Sequence, residues 1–155
     1  MNAPADHRSK FLIGLLRVSL GAWFFYSGYQ KLIATGLDRF VFDIGNYRML
    51  PEPWDAVVAY LIPWAECLVG LCLIGGVYVS GACVILTGLV SAFAIGITWA
   101  KWHKLVISCG CHGDGAMLNY TNKYLEFAGY YLLIAILFAR DCKVRRRTTP
   151  TQKEI

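Results

Sequence analysis

Between Val77 and Ala100 the chain runs for 24 residues without a charged side chain. As a helix this run is ~36 Å long, and the hydrocarbon core of a bilayer is ~30 Å thick. A helix that is apolar on every face belongs inside a membrane or at the centre of a much larger core. A strand crossing a bilayer needs only ~9 to 11 residues, so the run is too long for a barrel. It has to be a helix, the one open structure that satisfies its own backbone in lipid. Three more stretches follow the same logic. The first covers about 11–33 and carries Arg17 before Lys31; the second covers about 56–75 and carries Glu66. The fourth, apolar from Tyr124 to Ala139 with Glu126 near its start, reaches a bilayer's width if it extends over about 122–140. Only 16% of the chain is charged, against ~25% in soluble domains. The expected fold class is all-α membrane, a four-transmembrane-helix bundle forming one integral membrane domain over 1–155, with spans 11–33, 56–75, 77–100 and 122–140. The first span reads as an anchor and not as a removable signal peptide, because no small-residue cleavage site follows it closely.

The loops set an orientation. Arg8 and Lys10 precede the first span, and Arg140, Lys143, Arg145, Arg146 and Arg147 follow the last. The turn between the second and third spans has no lysine or arginine. The positive-inside rule then puts both termini in the cytoplasm, against the weaker pull of Lys101, Lys104 and Lys123. On that topology the 101–121 loop is extracytoplasmic. The arginine-rich tail touches anionic lipid, and no nucleic-acid partner is expected. The connection "ATGLDRFVFDIGNYRMLPEPWD" places Phe40, Val41, Ile44 and Tyr47 on one face of a short interfacial helix that Pro51 and Pro53 end. "IGGVYVSG" reads as a tight hairpin between helices. The glycines at 14, 21, 28, 70, 75, 81, 88 and 96 read as points of close helix packing. Thr121 or Asn122 suits the cap of the last helix, and Glu126 its first turn.

Arg17, Lys31 and Glu66 are charges within apolar spans. Such a charge costs ~2.5 to 3.5 kcal/mol at the bilayer centre, so it is expected to face the bundle interior and be paired. Glu66 lies ~15 Å below the outer start of its helix. An Arg17–Glu66 pair is within reach of the arginine side chain, while Lys31 is placed to snorkel to the outer surface. The pair would fix helix register or take part in handling protons or substrate.

The remaining feature is the loop "KWHKLVISCGCHGDG". Cys67, Cys72 and Cys83 lie in spans and Cys142 at the cytoplasmic end, so only Cys109 and Cys111 fall where disulfides persist. Three readings stand. The two cysteines form a reversible disulfide, their Cα atoms no more than ~7 Å apart, with Gly110 giving the small ring its freedom. Strained, exposed disulfides are readily reduced, and His112 with the nearby lysines would favour the thiolate. Alternatively Cys109, Cys111 and His112 bind a metal, with His103 or Asp114 as a further ligand; zinc or Cu(I) would suit them. Or the cysteines are structural, although an i,i+2 bridge closes almost no loop and stabilises little.

Taken together, "RVSLGAWFFYSGYQKL", "LIPWAECLVGLCLIGG" and the later "CGCHG" resemble the DoxX-like superfamily of four-helix membrane proteins, and within it the methylamine-utilisation membrane protein family, MauE. The resemblance spans about residues 11–140, and its most specific part is the proline–tryptophan–x–glutamate element followed by CGC. It implies a multi-pass protein of the bacterial inner membrane, acting with a thioredoxin-like periplasmic partner in the maturation of a disulfide-rich dehydrogenase subunit. More distant relatives imply a quinone as electron acceptor. The family usually has an aromatic residue after CGC, where this chain has His112. The expected function is thiol–disulfide exchange by a redox-active disulfide, with Cys109, Cys111 and His112 as the catalytic set and Arg17, Lys31 and Glu66 as the buried polar set. The alternative is a non-catalytic accessory subunit of a larger respiratory or photosynthetic membrane complex.

Overall fold

The computed structural model describes residues 3–105 and 120–148. The described residues are helical and contain no strand. Helix α1 runs Ala3–Tyr29 and passes into a π-helical turn, Gln30–Ala34. Helix α2 is Leu37–Gly45, α3 is Trp54–Gly75, α4 is Val79–Trp102 and α5 is Tyr120–Thr148. Three segments are long and apolar enough to cross a membrane: Phe11–Ala34, Trp54–Gly75 and Val79–Trp102. They match the first three expected spans to within a few residues. Helix α5 is 29 residues long but is not one of these three. Asn122, Lys123 and Glu126 at one end, and Arg140 and Asp141 at the other, leave only 127–139 free of charge.

The helices pair by two kinds of contact. Helix α1 lies along α3 almost backbone to backbone. A β-carbon on Gly21 would fall 2.8 Å from the Gly70 carbonyl oxygen, and one on Gly28 would fall 2.7 Å from the Pro63 carbonyl oxygen and from Cys67 Sγ. Only glycine permits that approach, which is how apolar helices gain dispersion contact in lipid. The expectation holds for Gly21, Gly28 and Gly70. It fails for Gly14, Gly81 and Gly88, where a β-carbon would meet nothing within 4 Å. Helix α4 meets α5 through side chains instead: Ser91 Oγ lies 2.7 Å from Tyr131 Oη, and Thr98 Oγ1 3.1 Å from Tyr124 Oη. Leu73, Leu86, Val90, Ile97, Phe127 and Leu137 fill the space between the pairs. The outward faces stay apolar, as at Leu61, Trp64, Leu68, Val84, Ile85, Ile95 and Leu132, which suits a lipid environment.

Two connections behave as the sequence suggests. Helix α2 buries Phe40 against Ala59 and Ile62, with Val41 and Ile44 packed beside it; Tyr47 lies just beyond the helix end. The turn after α3 is tight, with Gly76 at φ 69° and Tyr78 at φ 50°. Gly76 is needed there twice over, because a β-carbon would also fall 2.5 Å from Arg17 Nη1. Thr121 and Asn122, expected at the cap, both lie inside α5.

A polar centre inside the helix bundle

The site begins with a proline and an extra residue. Pro63 has no N–H to give the Ala59 carbonyl, so it loosens α3 one turn before Glu66. Across the interface α1 does not finish as a regular helix. Thr35 N donates to the Gln30 carbonyl at 2.8 Å, an i→i+5 bond. Such π-turns are uncommon and cluster at functional sites. This one carries Lys31, whose side chain turns inward and is 3% exposed. Its Nζ donates to Glu66 Oε1 at 2.7 Å and Oε2 at 2.6 Å, and to Ser27 Oγ at 2.9 Å. The ammonium also stands 5.5 Å from the Phe40 ring centroid and 5.1 Å from that of Phe93. Ring faces attract a desolvated cation. Glu66 is 1% exposed.

This corrects two expectations. Lys31 does not snorkel, and Glu66 is not held by Arg17. Register is the reason. The antiparallel contacts set Gly21 opposite Gly70 and Gly28 opposite Pro63 and Cys67. The Arg17 guanidinium accordingly lies against Gly76, ten residues or ~15 Å beyond Glu66, and Lys31 is the cation left within reach of the carboxylate. Arg17 is half-buried against Gly76, and its Nε has no hydrogen-bond partner among the described residues. It stands at the C-terminal end of α3, where the helix dipole favours a cation.

A second pair faces the first. Lys123 Nζ donates to Glu126 Oε2 at 2.8 Å, Tyr130 Oη donates to Glu126 Oε1 at 2.7 Å, and Trp23 Nε1 donates to Tyr130 Oη at 2.7 Å. Glu126 thus serves as the hub of a network rather than only as a dipole partner in the first turn of its helix. The network links α5 back to α1. Lys31, Glu66, Lys123, Glu126, Tyr130 and Trp23 all line a space of about 30 Å³ between the two pairs. A water needs ≳10–15 Å³ and two to four polar partners, so the space is large enough for water. Chemically this is a charge-balanced centre of two lysine–glutamate pairs. The sequence pattern hinted at it only through Lys123, Glu126 and Tyr130, spaced i, i+3 and i+7 on one helix face.

The thiol set expected from sequence, Cys109, Cys111 and His112, lies outside the described residues, as does Asp114. Cys67, Cys72, Cys83 and Cys142 are free thiols. His103 stacks on Trp99 with ring centroids 4.0 Å apart, and its Nδ1 lies 3.1 Å from the Trp99 carbonyl oxygen. Among the described residues no group of three or more His, Cys, Asp or Glu side chains is placed to hold a metal.

Comparison with known proteins adds one result. A family model described as methylamine utilisation protein MauE matches residues 9–140. No curated protein and no solved structure matches the chain.

Proposed function

Because this chain belongs to the methylamine utilisation protein MauE family, and its apolar helices suit a lipid bilayer, we propose that it is a membrane thiol–disulfide exchange protein. Cys109 and Cys111 form the redox pair, and the polar centre handles the protons. In this reading α5 is the fourth crossing, both termini are cytoplasmic, and the 106–119 segment faces outward from a bacterial inner membrane. A thioredoxin-like dithiol attacks the Cys109–Cys111 disulfide through its thiolate and forms a mixed disulfide. Its second thiol then displaces the cysteine held in that bond, so the partner leaves oxidised and Cys109 and Cys111 leave as two thiols. A membrane quinone restores the disulfide by taking two electrons and two protons and becoming a hydroquinone. His112 favours the thiolate form.

The observation that carries the reading is where the proton-competent groups stand. Lys123 and Glu126 occupy the first turns of α5, which follow directly on the connection bearing the two cysteines. They join Lys31 and Glu66 around a water-sized space. Thiol oxidation releases protons, and carboxylates are the groups that accept them.

Trapping tests the proposal. With Cys111→Ser, Cys109 is expected to hold a mixed disulfide with an extracytoplasmic protein, seen as a reducible adduct on a gel. If neither single variant ever traps a partner, the exchange role is wrong. A stoichiometric membrane complex that keeps full activity after both cysteines become serine would establish the accessory-subunit reading in its place. Stoichiometric metal lost in that same double variant would establish the metal-binding reading.

A further inference from the structure

Helix α2 and the connection after it border, with α3 and α4, a second, half-open cavity of about 290 Å³. Its walls are mainly apolar, from Phe40, Ile44, Val58, Ile62 and Phe93. Among the described residues one charged side chain lines it, Asp43, which is 9% exposed.

Among the described residues only a loose ion pair accounts for that acid. It stands in the last turn of α2, which carries no basic residue and where the helix dipole disfavours a negative charge. Its ion pair is loose: Arg39 Nε is 3.8 Å from Oδ1, and the arginine is 60% exposed. No described residue donates a hydrogen bond to the carboxylate. A carboxylate largely removed from water gains from a donor. Burial pushes the Asp43 carboxyl above its usual range, with Arg39 opposing.

The surrounding charges select the kind of donor. Arg39 already matches Asp43. Lys31 stands against Phe40 and Phe93, two of the cavity walls, and is matched by Glu66. A cationic ligand would bring an unmatched positive charge into this setting, whereas a neutral hydroxyl would satisfy the carboxylate and disturb no pair. Phe40, Phe93 and Tyr47, which also lines the cavity, suit a ring. The volume is at the lower end of small-molecule sites, ~300–1,000 Å³, enough for one substituted ring.

We propose that the α2–α3–α4 cavity binds a neutral, largely apolar ring compound that donates a hydroxyl hydrogen bond to Asp43, the class to which phenols and hydroquinones belong. The site would serve as the hydroquinone pocket of the exchange cycle, but binding here is independent of Cys109 and Cys111. A protein that binds and never traps a partner would refute the exchange reading alone.

The test is anaerobic titration calorimetry on the full chain in nanodiscs, with decylhydroquinone, its dimethyl ether and decylammonium as probes. The hydroquinone is expected to saturate one site per chain and bind about tenfold more tightly than the ether, which lacks the donor. Asp43→Leu should abolish that preference. Ala92→Phe, which fills the cavity from α4, should abolish binding of both. Equal affinity for hydroquinone and ether, tighter binding of decylammonium, or full binding by Ala92→Phe would each overturn the proposal. If Asp43→Leu gives no folded protein, the wild-type comparison and Ala92→Phe decide alone.

Discussion

The α1/α3 pair and the α4/α5 pair are two solutions to one problem. In lipid, apolar surface alone does little to hold helices together. Helices α1 and α3 solve it by removing side chains, so that Gly21, Gly28 and Gly70 let the backbones touch. Helices α4 and α5 keep their side chains and bond them, serine and threonine to tyrosine. The first solution is close-packed and sensitive to volume. The second is made of individually modest bonds. The polar centre lies at the seam, with Lys31–Glu66 belonging to the close-packed pair and Glu126–Tyr130 to the bonded one. The most deeply buried charges are therefore mounted on the close-packed half.

The sharpest way to break this contrast is at Glu66. Glu66→Leu strands the Lys31 ammonium in an apolar interior, and breaking a buried pair from one side costs ~3–5 kcal/mol. The midpoint of unfolding in mixed detergent should fall accordingly. Lys31→Met added to Glu66→Leu should recover most of the loss. If the double variant is no better than the single, the pair is not the source of the effect.

Next in size is Gly28→Val, which sets two methyl groups against the Pro63 carbonyl and Cys67. Overpacking of this kind costs ~1–3 kcal/mol, read from the same unfolding midpoint, whereas Gly88→Val on the open face of α4 should cost little.

The bonded pair should yield less. Tyr131→Phe removes one interhelical bond, and such bonds average ~0.6 kcal/mol in membranes. A loss in the range seen for Gly28→Val would erase the distinction between the two halves.

The smallest effect concerns Asp43, outside both pairs. Its carboxyl is pushed up by burial, with Arg39 opposing, so the folded protein holds that proton more firmly than the unfolded chain does. Its contribution to stability is greatest below the unfolded value of ~3.9 and falls as pH rises towards the raised one. Asp43→Asn should flatten the unfolding midpoint across that acid window, and at neutral pH it should be no less stable than the parent.

Much of this was legible in the sequence and some of it was not, for separable reasons. The long uncharged runs locate the first three spans, because nothing but a membrane helix accommodates them. Glu66 was legible as a buried charge needing a partner. Its partner was not. Choosing between Arg17 and Lys31 depends on the vertical register of α1 against α3, which is set by Gly21, Gly28 and Gly70 meeting specific residues 35 or more positions away in the chain. The glycine pattern alone could not fix this, since Gly14, Gly81 and Gly88 look the same in sequence, yet a β-carbon on them would meet no described residue within 4 Å. Trp23 and Tyr130 were hidden for a related reason: their bond joins residues 107 positions apart.

The π-turn at Gln30–Ala34 has a mechanical consequence. It takes up one more residue than an α-helical path would, and each residue of an α-helix turns the chain by ~100°. Deleting a single residue there would not merely shorten a connection. It would swing Lys31 away from Glu66 and rotate α2, with Asp43, off its seat on α3. The ammonium and the acid at the two cavities thus depend for their placement on one surplus link in the backbone.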